Sequence, residues 1–361
     1  MLYATGMLER PAAPILTSPP DIRSAPLALW LPLGVLPPIA VAGAIGLGLL
    51  VVFVAAVALP LATYTTALAL FGLAHVGSEL RYVDHRFGGR LPGGLGWWIL
   101  APLGLAVAVR LFGMTGWLSP TATVATELAL AAVMAIASVV CMRRRQVLGA
   151  ALALTLAVGA VLAPFQTLLA LAIAHNLTPL AFVADVLEGR ERGIALGVLG
   201  VPFVGLPLLI ASGLPGAWLA ATGIVDPDAT PFGSGPLIAN IGVYVPESLV
   251  DTQFALHLFS AAVFAQCMHY AVVIVLLPRL IDPDRGVTRT LVRWPRPGRF
   301  MLYLGAAGAL LAAAFLIDFG AARRIYALAA LVHSWIEIPI LLLALGMLRE
   351  PERVDCQAEN G

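Results

Sequence analysis

The stretch Phe71–Phe87, FGLAHVGSELRYVDHRF, is an apolar helix that acquires His75, Glu79, Tyr82, Asp84 and His85 before hydrophobic sequence resumes. His75 and Glu79 are four residues apart. On a helix that spacing stacks them on one face, where they can grip one ion or one ligand. The same spacing returns near the other end of the chain at His333 and Glu337, in LVHSWIEIP. The two pairs read as opposite walls of one buried polar site.

Composition fixes the solvent. The chain has 361 residues, of which 60% are hydrophobic and 11% charged, and its mean hydropathy is +0.94. That is too little polar surface for a water-soluble globule of this size, so the expected fold class is all-α, a polytopic integral membrane bundle. The 21 basic residues are all Arg and balance 20 acidic ones to a net charge of +1, which argues against a nucleic-acid partner. The absence of lysine excludes a Schiff base from a side-chain amine, and with it a rhodopsin-like photoreceptor. Cys141, Cys267 and Cys356 have neither the spacing of a disulfide framework nor that of a thiolate metal site. No phosphate-cradling glycine loop and no serine nucleophile with a local partner is present.

Crossing a bilayer takes about 20 apolar residues, and ten stretches meet that need, near 29–57, 59–81, 95–114, 123–142, 146–163, 165–187, 194–213, 251–278, 300–318 and 326–348. They form a single transmembrane domain over 29–348, flanked by a disordered Pro/Ala/Ser-rich tail at 1–28 and a short C-terminal tail at 349–361. Arginines follow the second, fourth, sixth, eighth and tenth stretches: Arg81, Arg86 and Arg90; Arg143–Arg145; Arg190 and Arg192; six from Arg279 to Arg299; Arg349 and Arg353. The positive-inside rule makes these ends and both termini cytoplasmic, in what composition suggests is a bacterial inner membrane. The outer loop 213–250 has acidic residues and no basic one, and is long enough to cap the bundle. Arg323 and Arg324 break the pattern, because they fall on the outer side.

All six histidines fall within or at the end of an expected span. Intramembrane ionisable groups are costly and mark functional sites. At the helical rise per residue, His75, His175, His269 and His333 come out ~10 to 22 Å from the cytoplasmic ends of their spans, a common layer. His257 precedes His269 by ~18 Å along one helix and belongs to another depth. His85 lies at the cytoplasmic surface. Imidazole is the commonest side-chain ligand for zinc, copper and iron, and a bundle core can collect ligands from facing helices. His75, His175, His269 and His333 are therefore the candidate metal ligands. Glu79 and Glu337 would complete the coordination or accept the far imidazole N–H and fix its tautomer. Tyr82, Asn176, Gln266 and Tyr270 are neutral hydrogen-bonders beside them. Alternatively, each histidine merely hydrogen-bonds between helices. Pro179 follows His175 by four residues and kinks or opens that helix.

Three segments, AHVGSELRYVD, FSAAVFAQCMHYAVVI and LAALVHSWIEIPILLL, resemble the Brp/Blh-type membrane carotene dioxygenases. His75, His269 and His333 carry over by position and His175 more loosely; the family's Pro-His-Gly and His-Phe-Gly signatures are not present. The resemblance implies intramembrane iron held by histidines, O2 as co-substrate and oxidative cleavage of a carotenoid double bond. The expectation is then a membrane oxygenase with non-haem Fe2+ on the four histidines, with Glu79 and Glu337 as the catalytic carboxylates. Its partners would be a lipophilic substrate, O2, membrane lipid and a reductase of unknown identity. Two alternatives stay open. One is a haem protein with two of these histidines as axial ligands. The other is a transporter whose histidines and glutamates relay protons or bind a metal in transit.

Overall fold

A computed structural model describes residues 38–89, 91, 94–141, 146–280 and 290–346. Both expected tails, Arg90, Arg143–Arg145, Arg285, Arg289, Arg349 and Arg353 lie outside the described residues. The described residues are helical and contain no strand. Residues up to Gly46 form one unit and residues from Leu47 onward another; the account below concerns the second, apart from the course of α1 itself.

The helices are α1 (Pro38–Ala58), α2 (Pro60–Val83), α3 (Leu95–Met114), α4 (Pro120–Cys141), α5 (Gln146–Leu162), α6 (Pro164–His175) and α7 (Thr178–Val186). They continue as α8 (Gly189–Gly200), α9 (Leu206–Ala211), α10 (Leu214–Ala220), α11 (Gln253–Ala271), α12 (Leu277–Leu280), α13 (Pro297–Ile317) and α14 (Phe319–Gly346). Single π turns at Val201–Gly205 and Val272–Leu276 join α8 to α9 and α11 to α12 without ending the rod. Among the described residues, seven of these rods are long and apolar enough to cross a membrane, or eight if the bent pair α6/α7 is one span. Helix α2 has the length, at 24 residues, but His75, Ser78, Glu79 and Arg81 dilute its apolar character. Helix α5 is apolar but has only 17 residues.

Prolines set several of the boundaries. Pro60, Pro164 and Pro297 open α2, α6 and α13 in the first turn, where a missing N–H costs nothing. The expected single span 165–187 is broken: α6 ends at His175, α7 starts at Thr178, and the two are bent by 44°. Pro179 lies in the first turn of α7, where it cannot donate back to the preceding turn. The last span starts at Phe319 rather than near 326, so Arg323 and Arg324 sit in the first turns of α14 instead of in a loop.

Burial separates the inner helices from the wall. Of the strongest apolar window in the α11–α12 rod, 72% is buried within the protein, against 17% for the α8–α9 rod. A lipid-facing helix can expose Leu and Val because the bilayer is their solvent, whereas α2 and α11 carry polar groups that only protein neighbours can satisfy. Helix α2 packs against α11, α13 and α14. The α2/α13 approach is close: a Cβ on Gly308 would come 3.0 Å from the Leu70 carbonyl oxygen, and one on Gly77 2.5 Å from Leu304 Cδ2. Small residues that let helix backbones meet are the usual device for helix association in lipid. At its C-terminal end α2 runs into a π turn, Asp84–Gly88. There the Asp84 carboxylate accepts the Leu291 and Val292 N–H groups at 2.7 and 2.9 Å and the Trp294 indole N–H at 2.7 Å.

The segment after α10 closes over the other end of the bundle with three short 3₁₀ turns, Leu237–Ala239, Ile241–Val243 and Glu247–Leu249. Asn240 and Asp228 hold it: Asn240 donates to the Ser234 and Pro236 carbonyls, and Asp228 accepts the Leu237 N–H. Two further ion pairs tie helix to helix. Arg110 of α3 grips the fully buried Glu127 of α4 with two parallel N–H···O bonds, and Arg86 donates to Asp185 of α7 at 2.9 Å.

The α2/α13 contact generates a paired test. Gly308→Val places a branched side chain against a backbone carbonyl that cannot turn away and should cost about 1–3 kcal/mol, read as a lower unfolding temperature in detergent. Gly305→Val, with nothing within 4 Å of its Cβ position, should unfold near wild type. Equal losses in both would place the close approach elsewhere.

Candidate metal centre

Three helices and one break deliver the site. His75 lies in α2, His333 in α14, and His175 is the last residue of α6, where the helix stops before its bend. His75 Nε2 is 3.1 Å from His333 Nε2, and His333 Nε2 is 3.1 Å from His175 Nε2. One ligand nitrogen from each of the three lies within 4.8 Å of the others, a group able to hold a metal ion. His75 and His333 are 1% and 2% exposed.

The shared nitrogen on His333 is diagnostic. An imidazole nitrogen offers a single position in the ring plane, either an N–H or a lone pair, so it can serve one of two such contacts well. A cation between the three nitrogens accepts a lone pair from each. With metal–nitrogen bonds of 2.0–2.1 Å and angles between square and tetrahedral, neighbouring ligand nitrogens stand about 2.8–3.4 Å apart, a range that includes the 3.1 Å contacts His333 makes with His75 and His175.

The carboxylates do not serve the histidines on their own helices. Glu337, four residues after His333, accepts from His175 Nδ1 at 2.5 Å. Glu79, four residues after His75, lies 3.5 Å from His269 Nε2. The helical stacking of each pair is real, but the bundle crosses the partners, so each glutamate reaches a histidine from another helix. Glu337 thereby fixes the His175 tautomer, leaving the lone pair on Nε2, the nitrogen that faces His333. The Thr178 hydroxyl lies 2.9 Å from the other Glu337 oxygen and 2.8 Å from the His175 carbonyl, so the first turn of α7 buttresses the arrangement.

His269 stands beside the three. Its ring centroid is 4.6 Å from that of His175 and 5.5 Å from that of His75, yet it is not one of the three converging ligands. Among the described residues neither of its nitrogens makes a geometrically good hydrogen bond, and the same holds for both Glu79 oxygens, all of them buried; the 3.5 Å approach of His269 Nε2 and Glu79 Oε2 is the contact they have. His269 and Glu79 thus form an adjoining, unsatisfied polar pair. Tyr82 contributes its ring, tilted against Phe182 at 5.1 Å, and its hydroxyl has no hydrogen-bond partner.

His257 lies away from the cluster, against Gly213, whose positive φ of 79° and lack of a side chain leave room for the imidazole. His85 sits in the π turn after α2.

A cavity of about 1060 Å³ reaches the cluster, lined by His75, His175, His333 and Glu337 but not by His269 or Glu79. Apolar residues of α5, α6 and α14 form much of its wall, and the segment from Ile238 to Val250 contributes to the same lining. Leu148 and Phe165 on that wall are about half exposed, so part of the lining reaches the lipid-facing surface. A hydrogen-bonded series also borders it. Tyr244 donates to Gln266 at 3.0 Å, Gln266 donates to the Tyr270 hydroxyl at 2.7 Å, and Tyr270 and Tyr326 hydroxyls are 3.4 Å apart. The Tyr270 ring stacks on His75 with centroids 4.0 Å apart. Sequence reading named Gln266 and Tyr270 here but missed Tyr244, Tyr326 and Thr178, none of which stands out from its local sequence.

Comparison with protein-family models, curated proteins and solved structures yields no match. What the site can do must therefore be argued from its own chemistry.

Two substitutions separate the elements of this geometry. Glu337→Gln should weaken metal retention ~10 to 100-fold without abolishing it, because the His175 tautomer loses its anchor while the three ligands remain. His257→Ala should retain metal at the wild-type level. Metal analysis of both folded variants checks the pair, and full retention in Glu337→Gln would remove the tautomer argument.

Proposed function

We propose that this chain is a membrane-embedded oxygenase in which His75, His175 and His333 hold a non-haem iron and a lipophilic, carotenoid-like substrate is oxidised with O2. The observation that carries the reading is the clustering of three histidines whose ligand nitrogens lie within 4.8 Å of one another, with His333 Nε2 shared between two 3.1 Å contacts. Three neutral imidazoles with positions left open suit ferrous iron, which when bound supplies binding and activation of O2.

The chain's own residues do the rest. Glu337 holds His175 in the ligating tautomer and Thr178 steadies Glu337. Tyr270 keeps the His75 ring in its plane by stacking. His269 and Glu79, buried beside the three ligands and 3.5 Å from each other, assist as a further ligand or as a proton acceptor at Glu79 Oε2. The apolar wall of the cavity excludes water and admits a hydrophobic substrate from lipid. The resemblance of the segments around His75, His269 and His333 to the carotene dioxygenases points the same way.

A haem reading is less well supported. Axial nitrogens on opposite faces of a porphyrin would stand about 4 Å apart at metal–nitrogen distances near 2 Å, wider than the 3.1 Å contacts that His333 makes with His75 and with His175.

The topology that goes with this function has ten spans: the seven long apolar rods, the bent pair α6/α7, α2 and α5. Helix α2 needs no fully apolar surface because the face that carries His75, Ser78 and Glu79 is buried against protein. Arginine placement puts both termini in the cytoplasm. The site then lies at mid-membrane, with the 213–250 segment over its outer side.

Two experiments test this reading. Protein purified in detergent should contain iron in near-stoichiometric amount and show no Soret band. His75→Ala, His175→Ala and His333→Ala should each lose metal while remaining monodisperse; full occupancy in all three would overturn the site. Reporter fusions at Arg293 should read cytoplasm and at Asp228 the opposite side; Asp228 in the cytoplasm would overturn the topology.

A further inference from the structure

Arg323 is one of the two arginines that break the positive-inside pattern, and it lines the cavity that reaches the histidines. It lies in α14, ten residues before His333, hence ~15 Å along the same helix, and both residues line the one cavity. The arginine has five N–H donors. Among the described residues it gives one hydrogen bond, from Nη1 to Asn240 Oδ1 at 3.1 Å, and its guanidinium stands 6.0 Å from the Tyr64 ring centroid.

The other ion-paired arginines make an informative contrast. Arg110, which also lines the cavity, is matched by Glu127, and Arg86 by Asp185. Arg323 has no carboxylate within ion-pair reach among the described residues, although Glu247 lines the same cavity. The neighbouring hydroxyls are engaged with one another: Tyr244, Gln266, Tyr270 and Tyr326 form their own series. Arg323 is half-buried on the wall of a largely apolar cavity, with guanidinium N–H groups left over that an anionic group entering the cavity could meet.

We infer that Arg323 binds the anionic end of an amphiphilic substrate, an apolar chain terminated by a carboxylate or phosphate group, while the chain runs down the cavity to the histidines. This rests on the reading of the cavity as a substrate site. It narrows the lipophilic class to chains with an acidic terminus and sets a ruler, because the position presented to the metal lies ~15 Å from the head group. A planar guanidinium suits either oxyanion, since its parallel N–H groups match carboxylate and phosphate geometry. The link to Asn240 aims the side chain inward and ties substrate binding to the outer segment.

The test uses the full-length chain in a non-ionic detergent and a fluorescent conjugated polyene fatty acid as probe. The corresponding polyene alcohol, a long-chain alkyl phosphate and inorganic phosphate serve as competitors. Wild type should bind the acid at least ten-fold more tightly than the alcohol, and the alkyl phosphate should compete while inorganic phosphate does not. Arg323→Gln should lose at least ten-fold in acid affinity with the alcohol unchanged, the scale expected for one charged hydrogen-bonded contact. Arg323→Lys should recover part of it. Asn240→Asp supplies a counter-charge beside Arg323, so it should weaken acid binding with alcohol binding unchanged, whereas loss of the amide's ties to the Ser234 and Pro236 carbonyls alone would weaken both.

Equal binding of acid and alcohol by wild type, or unchanged acid binding in Arg323→Gln, would overturn the inference, as would competition by inorganic phosphate at the strength of the alkyl phosphate. Iron measured on the same preparations separates the two readings. Acid selectivity without iron would sink the metal centre alone, and iron without acid selectivity would sink the role of Arg323 alone.

Discussion

Three imidazole nitrogens pointing at one another inside an apolar bundle is the condition on which the rest of the molecule depends. Neutral imidazoles in lipid surroundings gain little from a contact in which one nitrogen must satisfy two neighbours, and burial removes water as a substitute. Helix–helix packing therefore has to hold His75, His175 and His333 in place from outside. Small-residue contacts bring α2 against α13, and α14 packs against α2. The break between α6 and α7 leaves His175 at a helix end, where its side chain can meet both Glu337 and His333. A bound cation would turn this costly convergence into a favourable one, so metal binding and the packing of these helices should be coupled.

The cavity extends that logic from the ion to a substrate. Its apolar wall and its polar fittings lie along one path, with histidines at one place and Arg323 ~15 Å away on the same helix. Because α14 carries both His333 and Arg323, the spacing between the guanidinium and the histidine cluster is set by a single rod rather than by loop geometry. The segment that lines the far part of the cavity is held by Asn240 and Asp228.

Class and most of the site were legible in the sequence, for a physical reason: in a chain this apolar, each buried histidine is costly and conspicuous. Helical rise alone put His75, His175 and His333 in one layer, in keeping with ligand nitrogens that lie within 4.8 Å of one another, and it set His257 apart, which lies against Gly213. What helical rise cannot give is rotation about the helix axis and the crossing of neighbours. The pairs His75/Glu79 and His333/Glu337 accordingly looked like self-contained units, whereas Glu337 serves His175 and Glu79 faces His269. Pro179 marked the bend near His175, but the 44° angle depends on packing that a single helix does not encode. Arg323 was visible only as an anomaly in the charge pattern, because the cavity that explains it is assembled from distant parts of the chain. Span counting was hardest at α2, where the polar residues that make it central also dilute its hydropathy.

X-ray absorption at the iron edge, on full-length protein purified without added metal, tests the central claim most directly. The account predicts near-stoichiometric iron with nitrogen neighbours at roughly 2.0–2.2 Å, the multiple-scattering signature of about three imidazoles, and loss of that signature in His333→Ala. A wild-type protein that is folded and monodisperse but lacks iron, and that shows no imidazole-bound metal after anaerobic reconstitution with Fe2+, would contradict it.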